Sequence, residues 1–143
     1  MLTTLTPAEI QSELAEEFEL FDDWMSRYEY VIDLGKKLPD FDVNWQTQEN
    51  KIQGCQSQVW LHSELRDGKL IINGMSDAAI VKGLVAIVLR VYSGQSPQTI
   101  LDTKPNFIND IGFNDHLSPT RSNGLHSMLR TIYRLAGEHL SNT

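Results

Sequence analysis

Apolar residues recur at helical spacing from near the start of the chain: Ile10, Leu14, Phe18, Phe21, Met25, Tyr28 and Ile32 lead on to Leu34. The stripe predicts two helices that bend near Phe21 to Trp24 and bury one face. Thr6-Pro7-Ala8-Glu9 reads as the start, with Thr6 as N-cap, Pro7 at the first helical position and Glu9 as capping-box partner. After Gly35 the periodicity lapses. Leu38 to Asn50 is polar and loop-like, broken at Pro39, with Trp45 placed to anchor it to the body.

Two short apolar runs follow, from Val59 to Leu65 and from Leu70 to Gly74, joined through Asp67-Gly68. An Asp-Gly turn between such runs predicts a β-hairpin, and Lys51 with Ile52 supplies a third strand beside it. Cys55 would then lie at the tip of the sheet. Ser76 and Asp77 are capping residues for a helix from Ala78 to Tyr92, apolar nearly all round, that Gly94 would stop. Ser96-Pro97 and Ser118-Pro119 repeat the cap-then-proline start. The second opens a terminal helix whose inward stripe is Leu125, Met128, Leu129, Ile132 and Leu135. The expected architecture is α+β, one domain over residues 1–143, with a small three-stranded antiparallel sheet packed by helices.

Composition narrows the function. At 143 residues and 41% hydrophobic content the chain has enough for one sizeable core. A net charge of −7 argues against nucleic acid, whose affinity comes from phosphate neutralisation by clustered cations. The longest apolar stretch, Ile80 to Tyr92, is interrupted by Lys82, Gly83 and Arg90 and is too short to span a bilayer. The N-terminus lacks a signal-like core, so a soluble, cytoplasmic protein with no membrane partner is expected. Glu13, Glu16, Glu17, Glu19, Asp22 and Asp23 read as a solvated face. His62, His116, His126 and His139 are scattered without metal-ligand spacing, and no lysine lies in a cofactor motif, so neither metal nor cofactor is expected.

The chemistry converges on Cys55, the only cysteine, within Asn50-Lys51-Ile52-Gln53-Gly54-Cys55-Gln56-Ser57-Gln58-Val59-Trp60. Gly54 gives the backbone freedom to turn, and the neutral polar neighbours add no charge. A lone cysteine is commonly an inert core residue. This one sits in a polar, glycine-containing segment outside any periodic run, which favours a reachable thiol. With no second cysteine, sulfur chemistry here must involve another molecule.

That run, together with Ser76-Asp77-Ala78-Ala79-Ile80-Val81-Lys82-Gly83-Leu84 and Leu117-Ser118-Pro119-Thr120-Arg121-Ser122-Asn123-Gly124-Leu125, closely resembles the SufE family of sulfur-acceptor proteins, CsdE-like members included. The resemblance implies a fold shared with IscU-type scaffolds. It also implies a partner of a pyridoxal-phosphate cysteine desulfurase of SufS or CsdA type, which takes persulfide sulfur onto Cys55, stimulates the enzyme, and passes sulfur to an iron-sulfur scaffold of SufBCD type. Scaffold function does not carry over, because cluster ligation needs several cysteines. Arg121 matches the family's arginine, a candidate to stabilise the sulfur anion or contact the desulfurase. Asp77 matches a position beside the cysteine loop and is otherwise a helix cap. Gly54 is a candidate pivot, Gln56 and Ser57 are candidate hydrogen-bond donors to the sulfur, and Ile52, Val59 and Trp60 are candidate pocket walls. Trp60 and Gly83 otherwise read as packing residues. A homodimer is compatible with the sequence. Two competing readings are a cysteine hydrolase with a histidine such as His62 as base, and a thiol redox sensor.

Overall fold

The computed structural model describes residues 5–141. Helix α1 spans Pro7–Glu19 and α2 spans Trp24–Lys36. The capping box is formed, Glu9 N–H donating to Thr6 Oγ1 at 3.2 Å and Thr6 N–H to Glu9 Oε1 at 3.1 Å. The bend between the helices falls where the pattern places it, and Asp23 Oδ1 caps α2 by accepting from Ser26 N–H at 2.7 Å. The buried face of α2 differs from the predicted stripe. Ile10, Leu14 and Phe18 are buried on α1, but on α2 the buried positions are Val31 and Gly35, and Met25 is 73% exposed. The connection from Leu20 to Asp23 resets the helical phase, so a stripe continued across it at constant spacing comes out on the wrong face.

The acidic face of α1 is not wholly solvated. Glu17 turns inward, accepting from Arg90 Nη1 at 2.8 Å and from the Tyr30 hydroxyl. The Arg90 hydrogen bond holds the Glu17 carboxyl below its ordinary range. Burial, with the Glu17 bond second, pushes the Tyr30 phenol up to about 12.

Helix α3, Ala79–Tyr92, is the central element and packs against α1, α2, the sheet and the terminal helix. Its crossing with α2 is close because both contact points are glycine. A Cβ at Gly83 would lie 2.1 Å from the Val31 carbonyl oxygen, and one at Gly35 would lie 2.7 Å from Gly83 N. Gly83 is thus a packing residue, as its place in the sequence suggests.

Strands β1, Val59–Arg66, and β2, Lys69–Ser76, form the antiparallel hairpin, in register from Val59 opposite Ser76 to Arg66 opposite Lys69. Asp67 and Gly68 both have positive φ, 51° and 78°, as a two-residue hairpin turn demands. The predicted third strand is not one. Among the described residues the sheet has two strands, and Lys51 and Ile52 contribute an isolated bridge to Trp60, with Ile52 N–H donating to Val59 O at 2.8 Å. The chain turns at Gln53-Gly54 before more residues can pair.

Ser76 and Asp77 do not cap α3 at its N-cap position, which is Ala78, without a side-chain cap. Both hydroxyl and carboxylate are engaged nearby instead: Ser76 Oγ accepts from Ala78 N–H at 3.3 Å, and Asp77 Oδ1 from Gln58 N–H at 3.0 Å. Gly94, at φ 86°, follows the end of α3, and its N–H donates to Leu70 O at 2.8 Å.

Three short helices then cover the core: α4, Pro97–Asp102, α5, Phe107–Ile111, and α6, Phe113–His116. Ser96 caps the first as predicted. The connection into α5 is clamped by buried Gln11, whose Nε2 donates to Lys104 O at 3.2 Å and whose Oε1 accepts from Phe107 N–H at 2.7 Å. The long terminal helix α7 spans Pro119–Ser141, with Leu125, Met128, Leu129 and Ile132 buried and Leu135 half-buried. Among the described residues no helix is long and apolar enough to cross a membrane.

Candidate functional site

The loop from Gln53 to Gln58 is held at both ends and bulges between them. Its first leg is tied by the Ile52 bond to Val59. Its second is clipped to Asp77 twice: Gln58 N–H donates to the Asp77 carboxylate, and Asp77 N–H donates back to Gln58 O at 3.3 Å. Asp77 therefore acts on the loop rather than on the helix. At the bend Gly54 adopts φ +87°, a left-handed conformation that L side chains rarely take. It also lies flat on α7: a Cβ there would be 2.8 Å from Ser127 Oγ. Conformation and space together demand glycine.

This turn lays Cys55, half-buried, along α7. The sulfur faces the Gly124 carbonyl oxygen at 3.7 Å, and a Cβ at Gly124 would stand 3.6 Å from it. A carbonyl oxygen accepts from S–H but repels a thiolate, so this contact favours the protonated form. Burial acts the same way and pushes the Cys55 thiol up, while the charge of Arg130 pulls it down.

Cys55, Gln56 and Ser57 line a chamber of about 640 Å³ whose other walls include Ile32 from α2, Ile80, Val81 and Leu84 from α3, and Arg121, Gly124 and Met128 from α7. The structure thus gathers Cys55, Gln56, Ser57 and Arg121 around one cavity. Gln56 and Ser57 make no hydrogen bond to the sulfur among the described contacts; the Gly124 carbonyl holds that place. Ile52 and Val59 are not chamber walls. Both are buried in the main core, and the apolar lining comes from α2 and α3, with Met128 of α7, none of which the sequence gives a local reason to bring to the loop.

On the opposite side of the loop a smaller cleft, about 390 Å³, is lined by Gln53, Lys51, Ser127, Arg130 and Arg134 among others. Arg130 Nη2 donates to Ser127 Oγ at 3.0 Å. Sequence reasoning missed Gly124, Ser127 and Arg130. Gly124 and Ser127, three residues apart, are neighbours on α7, but no local motif in the sequence marks them as facing the cysteine loop.

No histidine lines the chamber among the described residues. His62, the histidine nearest in sequence, stacks on Trp45 with ring centroids 4.1 Å apart, and its Nδ1 is buried without a hydrogen-bond partner. That stack is also what anchors the Leu38 to Asn50 segment. Among the described residues no cluster of three or more His, Cys, Asp or Glu side chains is arranged to hold a metal ion.

The SufE Fe-S metabolism associated domain matches residues 12–136. The chain belongs to the SufE family. An uncharacterized SufE-like protein of Rhizobium meliloti is 48% identical over 126 residues, covering 84% of this chain and 89% of that one. One of Rhizobium etli is 45% identical over 126 residues, covering 84% of each. The solution structure of a hypothetical protein from Thermus thermophilus shares the fold, with a TM-score of 0.77 at 20% identity over 96% of this chain and 99% of that chain. SufE membership ties this chain to iron-sulfur metabolism, and the SufE match includes the loop, the chamber and most of α7.

Proposed function

We propose that this chain is a sulfur carrier in which Cys55 accepts persulfide sulfur from a pyridoxal-phosphate cysteine desulfurase and delivers it to an iron-sulfur assembly scaffold. The observation that carries the reading is a lone thiol, on a glycine pivot, at the wall of a chamber with space for another sulfur atom. The Cys55 thiolate attacks the outer sulfur of the donor persulfide. A new S–S bond forms at Cys55, the donor S–S bond breaks, and the donor cysteine leaves as a thiolate; the exchange needs no added oxidant or reductant. The new outer sulfur stands about 2.05 Å beyond Cys55 Sγ. A chamber lined by Ile80, Val81 and Leu84 keeps it from the cellular thiols that would discharge it.

The chain itself is an accessory protein of one domain, working in a reducing cytoplasmic setting where a free thiol persists. Arg121, at the chamber wall, is placed to meet the desulfurase or the incoming anion. The resting geometry keeps Cys55 protonated against Gly124, so acceptance requires the loop to leave α7, with Gly54 as pivot, when the enzyme docks. A cysteine hydrolase would need a base at the sulfur, and the chamber has no histidine among its described lining.

The test is intact-protein mass after incubation with a SufS- or CsdA-type desulfurase and cysteine. The expected result is a gain of one sulfur atom on wild type and none on Cys55→Ser, with the fold of the variant unchanged by circular dichroism. Equal stimulation of the desulfurase by wild type and Cys55→Ser would refute the acceptor mechanism.

A further inference from the structure

The cleft on the far side of the cysteine loop has two walls of different origin. One is a single face of α7, where Ser127, Arg130, Thr131, Arg134 and Leu135 recur at helical spacing. The other is the unbroken run from Gln48 to Gln53, which leads directly into Gly54 and Cys55. Hydrogen bonds fix that run in place. Leu61 N–H donates to Asn50 O at 2.9 Å, Ile52 N–H to Val59 O at 2.8 Å, and Asn50 Nδ2 to Trp45 O at 2.8 Å. Buried Ile52 and Leu61 give the cleft an apolar lining.

On a chain of net charge −7 this cleft carries the opposite sign. Lys51, Arg130 and Arg134 line it, with Glu49 as the acidic residue among them. Arg130 and Arg134 stand four residues apart on one helix face, where like charges repel. Glu138 answers Arg134 at 2.7 Å, but the two side chains are 58% and 54% exposed, and such pairs exchange partners at little cost. Among the described residues Lys51 and Arg130 have no ion-pair partner. Arg130 is aimed instead by a neutral group, donating through Nη2 to Ser127 Oγ at 3.0 Å, and Ser127 lines the same cleft. The chain thus holds cations on both walls of a groove and supplies little within itself to neutralise them. Cations on facing walls with apolar surface in the same groove suit carboxylates carried on a peptide segment better than a single compact anion.

We propose that this cleft is a docking groove for an acidic segment of the cysteine desulfurase, with Lys51 on one wall and Arg130 and Arg134 on the other receiving its carboxylates. The proposal deepens the carrier reading and rests on it for the identity of the partner. Gln53 belongs to both the groove wall and the cysteine loop, so a segment seated here stands beside the Gly54 pivot. Charges of this kind on an exposed groove also steer the encounter, which brings the enzyme to the side of the molecule where the loop must move.

The experiment has two arms, both on the full chain. In the first, the Kd for a SufS- or CsdA-type desulfurase is measured by titration calorimetry. Lys51→Gln and Arg130→Gln are each expected to raise it about 2- to 5-fold, the size of one exposed charge pair, and to flatten its dependence on salt. Lys36→Gln, an equal loss of charge at the end of α2, leaves it in place. In the second, hexaglutamate is titrated into the chain alone at low ionic strength while amide NMR shifts are followed. Shifts centred on Lys51, Gln53 and Arg130, weakened in Lys51→Gln and not reproduced by inorganic phosphate at matched ionic strength, are the expected result. No measurable desulfurase binding, an unchanged Kd in both cleft variants, an equal rise in Lys36→Gln, peptide shifts absent or centred elsewhere, or phosphate shifting the same amides each overturns the assignment. Wild type that binds the desulfurase through this groove yet gains no sulfur in the mass measurement sinks the carrier reading and leaves the groove standing.

Discussion

Replacing Gly54 by alanine tests whether the loop is held in solution as it is in the structure. At φ +87° an L residue is strained, and a left-handed conformation costs it roughly 1–2 kcal/mol. The new Cβ would also sit 2.8 Å from Ser127 Oγ. The hydroxyl can rotate aside only by giving up the Arg130 hydrogen bond, worth about 1 kcal/mol. Both penalties fall on the docked loop and vanish once it swings free, so docking weakens by about 2–3 kcal/mol, or roughly 30- to 150-fold in the open population. Cys55 alkylation at a fixed pH should accelerate by a similar factor, up to the rate of an unstructured peptide thiol, while the thermal midpoint of the main core changes little. A Ser127→Ala background separates the two contributions. There the nearest atom to the new Cβ is the residue 127 Cβ, at 3.7 Å, an ordinary contact, so only the backbone strain remains and the acceleration shrinks to roughly 5- to 30-fold. Labelling of Gly54→Ala at the wild-type rate would refute the left-handed turn and, with it, the docked loop.

Gly83→Ala gains up to about 1 kcal/mol of helix propensity but drives a methyl into the Val31 carbonyl, and overpacking of about 3 kcal/mol or more wins. Urea denaturation should show net destabilisation. Gly137→Ala, whose Cβ would meet nothing within 4 Å, should stabilise the chain by about 0.5–1 kcal/mol in the same assay. Glu17 is held below its ordinary value of 4.5, so its contribution is present above that value and is lost as pH falls through the lowered one. Glu17→Gln should therefore be less stable at neutral pH and lose less on acidification from pH about 5 to about 3; an acid-unfolding curve parallel to wild type would show that the Arg90 pair contributes nothing.

Local signals in the sequence were reliable where the structure they specify is local. Thr6 and Glu9 make their box, Asp67-Gly68 makes its turn, and Ser96-Pro97 starts its helix, each through residues a few positions apart. The failures share a different origin. The buried face of α2 depends on a phase reset in the preceding connection. The third strand shrinks to a bridge because the chain must turn at Gly54. Short helices α5 and α6 carry little periodicity, and the entry to α5 leans on a clamp from Gln11, more than 90 residues away in sequence. At the site, Cys55 and Gly54 were legible because polarity and glycine mark an exposed turn. Ser127, on which Gly54 rests, was not, because its part depends on which face of α7 the loop lies against, and that is fixed only by folding.

The glycine crossing of α2 and α3 reaches beyond stability. Ile32 on one helix and Ile80, Val81 and Leu84 on the other all line the chamber, and the two helices touch backbone to backbone at Gly35 and Gly83. Helices in such contact have little slack for sliding, so the apolar side of the cavity that they supply is held as one piece. Its apolar side is set before any sulfur arrives, and the burden of movement falls on the few residues between Gln53 and Gln58. A carrier built this way can be handled by two different partners in turn without its cargo space being remade by either.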